Sequence, residues 1–337
     1  MHVFELTRKM IDIESITPQD AEMGNFLYSH LSGLARLHDG HIERMPVEPG
    51  RDNIFVRFGE PLVTLSTHMD TVPPFIPSRE DDNAIWGRGA CDTKGIIASM
   101  ITAAGRLLES GVRNFGLLFV VGEERNSAGA YAASRNPRGS RFLINGEPTE
   151  NQLALGSKGA LRYEIQASGR MAHSAYPELG ESAILKLLNS LERIRNLKLP
   201  VDETLGASTL NIGLIGGGRA PNVIPDQAKA EIFIRVVGDV TGLRKEIAAA
   251  AAPDCEAIEV LFIPAVKLSS LEGFAITVVA FTTDIPAFNR TWGEPFLVGP
   301  GTIHVAHTSE EHILKTQILE AVELYQQMVR RLLQGTI

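Results

Sequence analysis

Apolar residues along this chain follow two periods in alternation, and the alternation outlines a fold. Residues 3–13 and 18–34 repeat at the 3.6-residue spacing of amphipathic helices, the second introduced by Thr17 as N-cap and Pro18 at the first helical position. Residues 42–47, 53–58 and 62–67 are short runs with β-branched members, parted by Gly, Pro and Asp, and read as strands. A helix follows from Lys94, with Ile96, Ile97, Met100, Ile101 and Leu107 at helical spacing. Residues 115–121 form a near-continuous apolar run, as expected of a strand buried on both faces between helices. A helix over 128–134 and a strand over 142–144 complete this half. Alternating strands and helices of this kind predict an α/β fold.

The texture changes near Gly159. Residues 160–167 alternate, 181–197 are helical, 210–214 and 228–237 are strand-like, 242–252 helical and 258–263 strand-like. This βαββαβ order suits a smaller α+β domain inserted into the larger one. The expected division is therefore 1–158, 159–265 and 266–337, the first and last parts forming one domain. Residues 274–281 and 296–298 resume the character of buried strands. Residues 310–333 form a long helix with Leu314, Ile318, Val322, Tyr325, Val329 and Leu332 on one face.

Three strands of the first half run out into charge: His68-Met-Asp70, Gly122-Glu123-Glu124 and Asn145-Gly-Glu147. Open α/β sheets bind ligands at the carboxyl ends of their strands, so these residues predict a site at that edge. A fourth segment, Trp86-Gly-Arg-Gly-Ala-Cys-Asp92-Thr-Lys-Gly95, sets Asp92 at a loop-to-helix junction. A carboxylate there could serve only as a helix cap; its companions decide otherwise. His68, Asp70, Asp92, Glu123, Glu124, Glu147 and His307 together mix imidazole with carboxylate, which suits zinc or a similar borderline divalent ion better than calcium or magnesium. Two ions sharing one carboxylate need about six donor groups, which this set supplies. Asp70, two residues from His68, is placed to fix that imidazole's tautomer.

Composition narrows the partners. The chain has 337 residues, 44% hydrophobic and 21% charged, which is the balance of a globular protein with room for two domains. The net charge is −8 and no basic run is long enough to track phosphates, which argues against nucleic acid. Two cysteines far apart, Cys91 and Cys255, imply no disulfide framework and a reducing compartment. A charged start and the lack of any long apolar run point to the cytoplasm and no membrane partner.

With these residues in view, the sequence resembles the acetylornithine deacetylase and succinyl-diaminopimelate desuccinylase family of co-catalytic zinc deacylases and exopeptidases. The resemblance spans almost the whole chain. It rests on Ser66-Thr-His68-Met-Asp70-Thr-Val-Pro73, Gly87-Arg-Gly-Ala-Cys-Asp92-Thr-Lys-Gly95, Gly122-Glu-Glu124, Gly146-Glu147-Pro-Thr149, Gly169-Arg-Met-Ala-His173-Ser, Asn222-Val-Ile-Pro225, Thr283-Asp284 and Gly299-Pro-Gly301 followed by Ala306-His307-Thr. It implies a mixed-sheet zinc-peptidase domain whose inserted domain acts as a lid or dimerisation element. It also implies that His68, Asp92 and Glu147 hold one ion, and that Asp92, Glu124 and His307 hold the other with Asp92 bridging. Zinc is the implied metal, with cobalt as a substitute. Glu123 becomes the general base acting on a metal-bridging water, and His173 the group that stabilises the oxyanion. Asn222 and Arg235 resemble a substrate-contacting pair, Arg235 suited to a carboxylate or, failing that, a surface ion pair. The resemblance implies hydrolysis of an N-acyl amino acid, acetylornithine first, with desuccinylase, acetyl-lysine deacetylase and dipeptidase or carboxypeptidase activities as alternatives, and a homodimer in some relatives.

Other features read more plainly. His304 and His312 are expected at the surface, and Cys91 as a small buried near-hydrophobe. The glycines of 213–218 lack dinucleotide-binding spacing, and no Gly-x-Ser-x-Gly elbow marks a serine hydrolase. Thr93 stands where the family usually has methionine. A non-catalytic binder on the same fold is the rival reading; it predicts a missing ligand or base, and the set is intact.

Overall fold

The computed structural model describes residues 1–335, and the chain divides into two compact units. The larger comprises Met1–Leu155, Leu268–Thr277 and the chain from Thr283 onward; the smaller comprises Gly156–Lys267 and Val278–Thr282.

In the larger unit, strands β1 (His41–Glu48), β2 (Arg51–Phe58), β3 (Val63–His68), β4 (Phe115–Val120), β5 (Phe142–Asn145) and β10 (Glu294–Leu297) form a sheet in the order β1-β2-β4-β3-β5-β10. The first two pairings are antiparallel; β4, β3, β5 and β10 run parallel. Every residue of β3, β4 and β5 is buried, which explains the apolar runs of β4 and β5. Successive side chains serve two different cores. Ile54, Val56, Leu65, Leu117, Phe119 and Ile144 enter one, together with helices α1 (Val3–Ile11), α2 (Ala21–Leu37), α3 (Gly95–Glu109) and α7 (Lys315–Leu333). Phe55, Leu118, Val120 and Leu143 enter the other, with Trp292, Phe288 and Ala130 of α4 (Ala128–Ser134). The sheet is thus the middle of three layers.

Parallel register then aligns the strand ends. His68 pairs with Val120 and Ser66 with Asn145, so His68, the Gly122 turn and Gly146-Glu147 leave the sheet at one edge.

In the smaller unit, β6 (Gly159–Ser168), β7 (Thr209–Gly217), β8 (Gln227–Val236) and β9 (Cys255–Ile263) form an antiparallel sheet in the order β7-β8-β6-β9. Leu161, Tyr163, Ile165, Ile232 and Ile234 pack with Leu187 and Leu191 of α5 (Ala183–Arg195) and Leu243 and Ile247 of α6 (Thr241–Ala251). The other face of β6 and β8 carries cross-strand ion pairs, Lys229 with Glu164 at 3.1 Å and Arg162 with Glu231.

Several boundaries differ from the sequence reading. Helix α2 starts at Ala21, because residues 16 and 17 pair with Thr71 and the Thr17 hydroxyl donates to Asp70 instead of capping a helix. Helix α7 starts at Lys315; His312–Leu314 is a short strand pairing with Ala84–Trp86. Strand character in 274–281 is confined to Ile276–Val279, and Ile276 is exposed, so this is no buried core strand. Strands of two or three residues show no period, which is why Arg79–Glu80 and Ala84–Trp86 escape a pattern search.

Candidate metal centre

Asp92 reaches the sheet edge through a distorted turn. Gly87 and Gly89 have φ of 135° and 87°, where a side chain is strained; a Cβ on Gly87 would also meet Ile11 Cγ2 at 2.5 Å. After them, Ala90–Lys94 makes one wide π-type turn in which Asp92 (φ −127°, ψ 80°) leaves helical geometry, and α3 begins only at Gly95. The departure at Thr93 also acquires a structural meaning: its hydroxyl donates to the His68 carbonyl, tying the turn to the end of β3. Lys94 is buried and donates to the Ile13 carbonyl at 2.7 Å.

His68 is buried between two partners. Its Nδ1 lies 3.0 Å from the Asp70 carbonyl and its Nε2 lies 2.9 Å from Asp92 Oδ1. An Nδ1–H held on a carbonyl leaves Nε2 as the atom that can ligate a cation. Burial opposes a charge on His68, but the hydrogen bonds to Asp70 and Asp92 outweigh it and hold the imidazole well above its ordinary pKa.

The Asp70 carboxylate, fully buried, accepts backbone N–H groups from Gly122 at 2.9 Å, Glu123 at 3.1 Å and Glu124 at 3.3 Å, besides the Thr17 hydroxyl. Gly122 turns with φ 80° into the single helical turn Glu123–Asn126, which brings the two glutamates round together rather than to opposite faces of a strand. Glu124 Oε1 lies 3.1 Å from His307 Nε2, which is 3.3 Å from Asp92 Oδ2. These two acids push His307 up to about 10.

Glu147, 4% exposed, has Oε1 without a hydrogen-bond partner. Its charge acts on His68 and Asp92. Burial pushes the Glu123, Glu124 and Glu147 carboxyls up, and their mutual repulsion adds to it. Asp284, which the sequence reading gave no role, is buried with both oxygens unpartnered and is pushed up to about 7 for the same reasons. Among the described residues His68 and His307 are the cationic groups in contact with this closely packed set of acids, so the carboxylates outnumber the positive charge beside them. His68, Asp92 and Glu124 each offer a ligand atom within 4.8 Å of the others. Donor chemistry, spacing and the orphaned Glu147 oxygen all fit one or more divalent cations.

The remaining sequence-predicted residues lie in the smaller unit. His173 is exposed on a loop that bridges to Val223; Ser174 N–H donates to the Asn222 carbonyl at 3.0 Å, so His173 and Asn222 are neighbours. Arg235, on β8, stacks over Phe233 at 4.8 Å and keeps Nη1 buried without a partner. Of the distractors, His304 is exposed and Cys91 is buried, whereas His312 is half-buried against Trp86.

An acid-rich cluster of metal-ligand type at the carboxyl edge of a three-layer α/β domain, in a chain that also carries a separate α+β unit, defines the build of a two-domain metallohydrolase. The chain matches the model of peptidase family M20/M25/M40 over residues 64–331, and it belongs to that family. It is 38% identical to a probable carboxypeptidase of Aspergillus clavatus over 98% of this chain and 82% of that one. Its fold is similar to a tripeptidase of Staphylococcus aureus (TM-score 0.80, 19% identity, covering 97% and 98% of the two chains). It is also similar to a dinuclear metal-binding peptidase of the same family from Bacillus subtilis (TM-score 0.72, 15% identity, 99% and 98%). The family is wider than the deacetylase and desuccinylase group that the motifs resemble, and the fungal relative is named for carboxypeptidase activity. Among the described residues no helix is long and apolar enough to cross a membrane.

Proposed function

We propose that this chain is a two-metal exopeptidase that hydrolyses the amide bond next to the free carboxylate of a small peptide, as a dipeptidase or carboxypeptidase. The observation that carries this reading is the clustering of His68, Asp92, Glu124, Glu147 and His307, in which acids outnumber cationic groups. His68, Asp92 and Glu147 would hold one ion, and Asp92, Glu124 and His307 the second. Zinc or cobalt held there supplies Lewis acidity and lowers the pKa of water.

The chain's own residues do the rest. Glu123, on the turn fixed by Asp70, accepts the proton of the attacking water and returns it to the leaving amine. His173 donates to the oxyanion. Arg235, with a buried guanidinium nitrogen free of partners, receives the substrate carboxylate. Asn222, in the loop before β8 and so at the far end of that strand, would make a separate substrate contact next to His173. The names of the fungal and bacterial relatives support peptide substrates. Deacylation of an N-acyl amino acid uses the same chemistry, and is favoured by Gly87-Arg-Gly-Ala-Cys-Asp92 and Gly146-Glu147-Pro-Thr149. We further infer a homodimer through the smaller unit, since Leu214 and Ile215 are 63% and 58% exposed on the edge strand β7. The cytoplasm suits the two free thiols.

The deciding experiment loads the protein with zinc or cobalt and assays dipeptides, longer peptides, and N-acetyl and N-succinyl amino acids side by side. Release of C-terminal amino acids from peptides supports the exopeptidase; preferential release of acetate or succinate moves the assignment to deacylation. Two bound equivalents of metal with no turnover of any compound leaves the non-catalytic binder. Light scattering during gel filtration reads the dimer: a mass of one chain at assay concentration removes it.

A further inference from the structure

The Asp92 carboxylate faces both histidines, but its own backbone is held from behind. Glu311 Oε1 accepts the Asp92 backbone N–H at 3.3 Å, and the Cys91 thiol lies 3.7 Å from the same oxygen. The other carboxylate oxygen pairs with Arg88 Nη1. Arg88 is anchored in turn, donating Nε to the Pro74 carbonyl at 3.2 Å and its backbone N–H to Ile76 at 3.0 Å. The Glu311 carbonyl accepts the Gly87 N–H at 3.0 Å, so backbone and side chain of one residue grip both ends of the segment that delivers Asp92.

Arg88 and Glu311 are 2% and 1% exposed. A fully buried ion pair loses about as much in desolvation as it gains in attraction, and an apolar pair of the same size packs at least as well. Stability is therefore a poor reason for its presence. A second negative charge placed directly behind Asp92 is, for stability alone, a worse choice still. Both features make sense if the pair sets the position of the wide turn, whose dihedrals at Asp92 no regular element enforces.

We propose that Glu311, held by Arg88, is a positioning residue that fixes the Asp92 carboxylate in the place where it would ligate the divalent cations. The inference rests on the two-metal reading above. It assigns a role in ion binding to two residues outside the ligand set, acting through the peptide of Asp92.

The test compares metal-free wild type with E311Q and with the apolar pair R88M/E311L. Zinc is titrated calorimetrically, cobalt by visible absorption, and thermal melting of the metal-free forms reports the fold. E311Q keeps the volume but has a single oxygen acceptor for two donors; the apolar pair removes both charges and the acceptor together. Removal of an outer partner of a ligand weakens metal binding roughly 10- to 100-fold. We expect that loss in both variants, with an altered cobalt spectrum, while R88M/E311L melts within a few degrees of wild type. Wild-type-like affinity, within twofold, in either folded variant overturns the positioning role. If the apolar pair does not fold, E311Q alone decides by the same limits. Wild type binding fewer than two equivalents defeats the two-metal reading and this inference with it; two equivalents in wild type and in the variants at equal affinity defeat this inference only.

Discussion

Asp70 joins the two halves of the candidate chemistry on one buried carboxylate. It takes three successive backbone N–H groups from the turn bearing Glu123 and Glu124, while its side chain stands 3.6 Å from His68 Nδ1. Desolvation alone would raise its pKa, yet the His68 and Thr17 contacts and those backbone donors bring it below the usual carboxylate value. An Asp70→Asn variant keeps the volume but places an NH2 group against N–H donors. We expect ion affinity to fall about tenfold or more, measured by equilibrium dialysis, because both His68 and the glutamate turn lose their reference point. Glu123→Gln separates proton transfer from ligation. Its kcat should fall by roughly 10²- to 10⁴-fold with metal content unchanged; turnover near wild type removes Glu123 as the base. Arg235→Met should raise KM for substrates with a free carboxylate far more than for their amides, and equal effects on both would dismiss the proposed carboxylate contact.

At the scale of elements, short conformationally demanding segments carry the site, and the strands set where those segments start. Gly122 is the clearest case. It has φ 80°, and a Cβ there would lie 3.3 Å from Arg51 Nη2 and from Asn126 Oδ1. Gly122→Ala should destabilise the larger unit by about 1–2 kcal/mol, the usual cost of a left-handed non-glycine residue, as read by urea denaturation. Loss of activity should exceed what that destabilisation explains, because the same turn presents Glu123. An unchanged denaturation midpoint would mean that the turn relaxes without cost. Gly146 makes the complementary point about packing: a Cβ would strike Ile96 Cγ2 at 2.4 Å, so the strand carrying Glu147 can approach α3 only without a side chain there.

For the molecule as a whole, the unbalanced acids imply that cations and fold are linked. Groups pushed up by burial and mutual repulsion, such as Glu147 and Glu123, favour any state that brings positive charge among them. A cation binding only the folded chain at 100 times its dissociation constant stabilises by about 2.7 kcal/mol. A chelator should therefore lower the melting temperature of the metal-loaded protein, and zinc should restore it. Identical melting curves with and without chelator would dispose of the linkage. Because the chain has two compact units, the shift should fall on the transition of the larger one.

What the sequence determined by itself was the local part. Apolar runs marked β4 and β5, helical spacing marked α3 and α4, and the alternation of 160–167 marked β6, since burial imposes those periods wherever a face meets a core. The acids and histidines at strand ends were legible for the same reason: charge at the end of a buried strand serves no packing purpose. Thr17 shows the limit. As a residue before proline it reads as a helix cap, and only the pairing of residues 16 and 17 with Thr71 turns its hydroxyl to Asp70. Asp284 and the Arg88–Glu311 pair received no role from the sequence: Arg88 and Glu311 stand 223 positions apart and meet only through tertiary structure, and the burial of Asp284 among other acids is likewise a product of the fold. Distance along the chain carries no record of desolvation; the fold alone decided which carboxylates lost their water and which found a cation to replace it.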